Sequence, residues 1–333
     1  MITRRNFVQL TGTSMVGAAS VAAAASPLGS LTTRPTSVAE DFVFPEWIAA
    51  MRAAAEDRGN SADRAFARVF SASWVEAGQN LSTAAVSTLP APGVELFEPS
   101  VAHALAIEAN DRLAERVRGR NGGAGLVTIS AFDPHAAKEA ERAIGKLRLS
   151  GLSLGANRGK RLDHHSLWDI YAFAQSADVA IYLPASYAPS AGDAPYRAAG
   201  APGVMAGASQ DSAKHAEQLI FGGVLDQFPN LKVVLARLGE GAPYWHTRLE
   251  DTYALRKNEG LPVPKRKISD YFGDNIFLTL ADVESPEVAE FCSRATGHRG
   301  LMGVSACNSN FEAAQGRLSI ARARHWLRPA RRF

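Results

Sequence analysis

The chain has 333 residues, 46% of them hydrophobic and 21% charged, with a net charge of +3. Those proportions are ordinary for a globular protein, and the scattered basic residues exclude a nucleic-acid-binding stripe through the body. A chain this long buries most of its unfolded surface and needs neither disulfides nor structural metal for a core. Its length suits two domains or one α/β barrel.

Residues 1–30 stand apart. Arg4-Arg5 opens a weakly apolar run from Val8 to Ala25, with small residues at Ala23-Ala24-Ala25. A charged start, an apolar middle and a small-residue end make an export signal, and paired arginines indicate the twin-arginine route to a periplasm. The alternative is an Ala-rich terminus with no targeting role. Gly12, Gly17 and several hydroxyl residues make the run a poor permanent anchor, so no stable membrane insertion is expected after signal removal.

From Thr36 onward, short aliphatic runs alternate with helical stretches, the pattern of a parallel sheet with crossover helices. Eight strands are predicted: Thr36–Asp41, Thr83–Ser87, Gly125–Ser130, Leu149–Leu154, Val179–Leu183, Lys232–Ala236, Ile276–Thr279 and Gly300–Val304. Between them, Asp133-Pro134 offers a carboxylate cap and a first-turn proline. Helices are also expected over Asp163–Ser176 and Asp211–Phe228. The body of about 270 residues approaches the roughly 250 typical of a TIM barrel. The Ala/Gly/Pro/Ser-rich segment 185–207 follows the fifth strand and reads as either a lid over a pocket or an ordinary connecting loop.

Two further features close the chain. Cys292 falls in a helix and Cys307 beyond the following strand, at opposite ends of a barrel, so two free thiols are expected rather than a bridge. Residues 311–333 form a basic tail. Its last part, from Arg317, carries six arginines and His325 without an acidic residue. It suits an acidic partner or membrane surface, or is a solvated terminus with no selected role.

Three passages carry a resemblance. The first runs Gly78-Gln79-Asn80-Leu81-Ser82-Thr83, then Pro92-Gly93-Val94 and Asn110-Asp111-Arg112-Leu113. The second is Glu139-Ala140-Glu141-Arg142-Ala143 leading to Gly151-Leu152-Ser153-Leu154. The third is Phe221-Gly222-Gly223-Val224-Leu225-Asp226-Gln227-Phe228-Pro229-Asn230-Leu231, continuing through Ala236 to Pro243-Tyr244. Together they resemble the amidohydrolase-2 branch of the amidohydrolase superfamily, which includes aminocarboxymuconate-semialdehyde and resorcylate-type decarboxylases. The resemblance covers residues 36–310 and implies a single-domain (β/α)8 TIM barrel. The sequence after Phe311 does not resemble the two closing helices frequent in that family, so a barrel incomplete at its C-terminal end is expected.

The resemblance also implies a divalent metal, usually zinc, held by an HxH pair on strand one, a histidine on strand five and an aspartate on strand eight, beside a strand-six histidine. In this chain those positions fall on Ala39 and Asp41, on Leu183, on Ser305 and on Arg237. No HxH occurs in the chain. His164 and His165 sit beside a helix start, and His135, His215 and His246 read as surface or capping residues; His103 and His298 lie in connecting or helical regions. A guanidinium is permanently protonated and repels a cation, so no cofactor is expected. Arg237 either pairs with Asp41 across the pocket or clamps a substrate carboxylate.

Three functions remain open. One is a barrel that has lost its metal site and is inactive or metal-independent. Another is a hydrolase or carboxy-lyase for a small aromatic carboxylate with remodelled residues drawn from Asp41, Tyr182, Arg237, Glu240 and Ser305. The third is a periplasmic module binding a small ligand without turnover. A small-molecule partner is expected in the last two, and a homo-oligomer is compatible with all of them.

Overall fold

Strands and helices alternate from Val38 to Met302 in the computed structural model, which describes residues 38–57, 86–90, 93–95, 97–118, 124–131, 133–154, 161–184, 209–279, 285–297 and 300–302. Residues 1–30, read as an export signal, the 185–207 segment, Ser305, Cys307 and the basic tail lie outside the described residues. The elements are β1 (Val38–Asp41), α1 (Pro45–Asp57), β2 (Val86–Thr88), α2 (Pro99–Arg118), β3 (Ala124–Ile129), α3 (Ala136–Gly145), β4 (Gly151–Leu154), α4 (Trp168–Ser176) and β5 (Ile181–Leu183). They continue with α5 (Ser209–Phe221), α6 (Val224–Gln227), β6 (Val233–Leu235), α7 (Ala242–Asn258), α8 (Ile268–Tyr271), β7 (Ile276–Thr279), α9 (Pro286–Ala295) and β8 (Leu301–Met302). None of the described helices is long and apolar enough to cross a membrane.

All strands are parallel and stand in sequence order, β1 to β8, in one sheet. This is the α/β TIM barrel expected from the alternation. Among the described residues no ladder joins β8 back to β1, so the barrel is incomplete at that seam.

The two-residue period of a strand splits each apolar run between two cores. Val86, Ala124, Leu126, Ala180, Tyr182, Val234 and Ala236 form the barrel interior, with Phe277 packed against them. Their neighbours Val127, Ile129, Leu152, Leu154, Ile181, Leu183, Val233, Leu235, Ile276 and Leu278 join the larger core beneath the helices. Registers such as Ile181↔Val233 and Tyr182↔Val234 keep each layer level from strand to strand.

Three local expectations need correction. The helix after β3 begins at Ala136, with His135 as an N-cap that makes no side-chain capping bond. Asp133 is drawn elsewhere: its carboxylate binds the His103 ring at 2.6 Å and the His135 backbone N–H at 2.8 Å. The Asp163–Ser176 helix is preceded by a separate 3₁₀ turn, His165–Leu167, whose Ser166 N–H is capped by the His164 ring. The Asp211–Phe228 helix is broken into α5 and α6 by Gly223, whose φ of 76° a continuous helix cannot accommodate. The expected free thiol is present at Cys292, which is buried.

Candidate functional site

Because every strand is parallel, all the loops leaving strand carboxyl ends share one face, where barrels build their sites. Two sectors of that face are well defined. They are constructed in opposite ways.

The sector after β2 and β3 is a satisfied polar network. Glu95 is 1% exposed, and its carboxylate accepts from Ser130 Oγ and the Ala131 N–H, both at 2.9 Å. One turn outward, Asn110 of α2 accepts the Thr128 N–H at 2.7 Å and donates to the Thr128 carbonyl at 3.1 Å and to Glu139 at 2.7 Å. Glu139 in turn takes both Arg142 Nε and Nη2 at 2.7 and 2.8 Å, while Arg142 Nη1 reaches Asp111 at 2.8 Å. The buried carboxylates are thus paired, as burial of charge requires.

The sector after β6 holds strain instead. Ala236 is still extended, and then Arg237, Leu238, Gly239 and Glu240 take φ values of 49°, 56°, 67° and 50°. Bonds from Gly239 N to Ala236 O and from Glu240 N to Arg237 O, at 2.8 and 2.9 Å, close this left-handed turn. Left-handed backbone at non-glycine residues costs roughly 1–3 kcal/mol each and persists only where surroundings enforce it. Leu238, 1% exposed in the helix-facing core, supplies that enforcement. Gly239 is required for a second reason, since a Cβ there would meet Leu278 Cδ2 at 2.8 Å.

The turn projects two charged groups, Arg237 and Glu240, beside each other. Burial pushes the Glu240 carboxyl above its usual range, and the Arg237 charge pulls it partly back. The interior floor is made of hydroxyls. Period-two counting puts Thr88, Thr128 and Thr279 on the inward side with Val86, Leu126 and Phe277, and all three are buried, as is Ser153, which pairs in register with Tyr182. Among the described residues, Thr128 Oγ1 and Thr279 Oγ1 have no hydrogen-bond partner.

The sequence-named positions distribute as follows. Tyr182 is in the barrel interior. Leu183, the strand-five position, packs in the helix-facing core and so does not line the interior. Arg237 and Glu240 meet at the end of β6. Asp41 stands in register with Thr88 after an irregularity between Val38 and Glu40; its side chain, that of Ala39 and all of Ser305 lie outside the described residues. His215 is corrected from a surface residue to a buried one, 6% exposed on α5, with Nδ1 unpaired among the described residues. Glu95 and the hydroxyl floor were missed, although the alternation Leu126-Val127-Thr128-Ile129-Ser130 carries a signal for the floor.

The amidohydrolase family model matches residues 76–260, more than half of the chain. The chain belongs to the amidohydrolase family. Over 207 residues this amidohydrolase is 33% identical to the gamma-resorcylate decarboxylase of Polaromonas sp. strain JS666, covering 59% of the chain and 64% of that relative. The match therefore spans less than two thirds of that relative's length. The 5-carboxyvanillate decarboxylase of Sphingomonas paucimobilis is 25% identical with a TM-score of 0.74, covering 89% of this chain and 96% of its own. The dihydroxybenzoic acid decarboxylase of Polaromonas sp. JS666, seen with manganese and 2-nitroresorcinol, is 23% identical with a TM-score of 0.65, over 89% and 94% of the two chains. Relatives of this amidohydrolase are thus decarboxylases, and family members use a divalent metal.

Whether such a metal suits this chain can be asked of its donors. Imidazole and carboxylate suit zinc or manganese. Among the described residues no group of three or more His, Cys, Asp or Glu side chains gathers. The strand-six position offers the guanidinium of Arg237, the floor offers neutral hydroxyls, and Leu183 faces away from the interior. Among the described residues, the strand-six position therefore supplies neither imidazole nor carboxylate.

Proposed function

We propose that this amidohydrolase keeps the barrel of the aromatic-acid decarboxylases but does not run on a divalent metal, and is inactive or metal-independent. The observation that carries the reading is Arg237 at the strand-six position, a fixed positive charge where the family keeps an imidazole. Ala39 and Ser305 at two further ligand positions support it, leaving Asp41 as the only carboxylate of the set. Without a metal to polarise substrate or supply charge, several kcal/mol of barrier lowering is forgone, and each ~1.4 kcal/mol is about tenfold in rate.

The test is metal content of signal-free protein after dialysis against chelator, together with carbon dioxide release from 2,6-dihydroxybenzoate and 5-carboxyvanillate. Little retained metal and no metal-stimulated release are expected. One zinc or manganese ion per chain that survives chelator and restores turnover would overturn the reading.

A second reading, a carboxy-lyase with remodelled residues, is favoured by the strained turn. It presents a carboxyl whose proton affinity burial raises, beside a guanidinium suited to a substrate carboxylate. Release of carbon dioxide without metal, abolished by Arg237→Ala, would select it. The binding-module reading is favoured by the two unpaired hydroxyls of the floor, and thermal shifts with aromatic carboxylates in the absence of turnover would select that. Export through the twin-arginine route belongs to the same proposal, on the strength of Arg4-Arg5. Replacing both by Lys should retain the precursor inside the cell, as fractionation would show.

A further inference from the structure

The β2–β3 sector contains one group of titratable side chains that the amidohydrolase positions do not use. His103 lies in the first turns of α2, and Asp133 and His135 lie in the loop between β3 and α3. A single carboxylate holds the His103 imidazole and the backbone of His135. Asp133 Oδ2 binds His103 Nδ1 at 2.6 Å, and Asp133 Oδ1 accepts the backbone N–H of His135 at 2.8 Å. The Asp133 side chain is only 5% exposed, whereas that of His103 is 34% exposed. The two rings face each other edge-on, with centroids 5.7 Å apart and planes at 63°.

We propose that His103 and His135 form a binding site for a borderline-soft divalent cation of the copper, nickel or zinc type, separate from the strand-end centre of the family. Three features carry it. With Nδ1 committed to Asp133, the His103 ring leaves Nε2 as its available ligand, and a carboxylate behind a ligating imidazole is the usual means of orienting it and raising its basicity. Two nitrogens about 2.1 Å from one ion, at a tetrahedral angle, put their ring centroids about 5 Å apart. The observed 5.7 Å is close to that separation, and the His135 side chain is exposed and able to turn. Neutral imidazole pairs with no third protein donor favour the later first-row ions, copper above nickel and zinc, and leave the remaining positions to water or a small ligand. Arg142 and Arg112 are committed to carboxylates elsewhere in the sector.

The experiment titrates the full chain with Cu²⁺ alone, following binding by calorimetry and the nitrogen hyperfine pattern by electron paramagnetic resonance. One ion per chain with two coupled imidazole nitrogens is expected. His103→Ala and His135→Ala should each weaken binding about tenfold or more and reduce the pattern to one nitrogen. Asp133→Asn should weaken it about 10- to 100-fold. Arg237→Ala and the double change His164→Ala with His165→Ala should leave it unchanged, which separates the site from the end of β6 and from the adjacent-histidine pair. Because the His135 side chain is exposed, His135→Ala tests the site even if Asp133→Asn fails to fold. Binding that survives His103→Ala or His135→Ala undiminished, or no binding at micromolar Cu²⁺, would overturn the assignment.

Discussion

Two sectors of the face at the strand carboxyl ends use buried polarity differently. After β2 and β3, Glu95, Asn110, Glu139 and Arg142 are joined in hydrogen bonds that leave little unsatisfied. After β6, the chain runs through four consecutive left-handed residues to place Arg237 and Glu240 at the rim. A satisfied network stabilises and rigidifies. A strained turn is maintained only because surrounding packing overrules the local preference, and such turns cluster where function demands an unusual side-chain position. The difference teaches that the first sector is scaffold and the second is where this barrel has room for chemistry or for its loss.

The strongest way to break that comparison is to attack the scaffold at its hub. Asn110→Ala removes three hydrogen bonds at a fully buried position and leaves Thr128 and Glu139 without them. A loss of about 3–5 kcal/mol in denaturant unfolding is expected. A loss below about 1 kcal/mol would mean that water replaces the amide and the sector is less closed than its geometry implies.

His215 comes next, through pH. Burial, with a smaller contribution from Lys214, lowers its imidazole from 6.5 to about 4. The unfolded chain then binds a proton near its ordinary value while the folded chain refuses it. The stability is therefore present above pH 6.5 and drains away as pH falls toward 4, by about 3 kcal/mol for the single group. His215→Gln should flatten that part of the unfolding curve against pH, and an unchanged acid limb would refute the buried neutral imidazole.

Smaller effects probe the strained sector. Gly239→Ala introduces a Cβ against Leu278 at a φ of 67°, and should destabilise by about 1–3 kcal/mol. Glu240→Gly, conversely, should stabilise by about 1 kcal/mol by releasing a left-handed non-glycine residue. The gain should depend on pH. A carboxyl raised by burial contributes stability below its unfolded value near 4.5 and loses it as pH rises through the higher folded value. The gain from glycine should accordingly be larger at pH 7 than at pH 4. No gain at either pH would show that the turn is relaxed.

Much of the fold was legible because its signals are local. The eight strands lie within a few residues of the apolar runs that predicted them; Ile276–Thr279 coincides with its prediction. The misplaced boundaries have local competitors. Asp133 looked like a helix cap, yet its carboxylate is worth more against the His103 ring thirty positions earlier. Gly223 stopped a helix that apolar spacing alone would continue. The site was less legible. Leu183 was assigned the strand-five ligand position by resemblance, and its membership of the outer core follows from the parity of β5 within the sheet. The left-handed turn at Arg237 had no sequence warning beyond Gly239 and Gly241, because it is imposed by the burial of Leu238.

By itself the sequence determined the order of strands and helices and the family frame, since period, punctuation and residue identity are properties of a short stretch of chain. Only the tertiary structure decided which face each strand turns inward, that Asn110 would close the edge of β3, that His103 and His135 would share one carboxylate, and that the chain would turn left-handed after β6. Those outcomes depend on contacts between residues far apart in the chain, and only the curling of the sheet and the packing of helices on it bring such residues into reach.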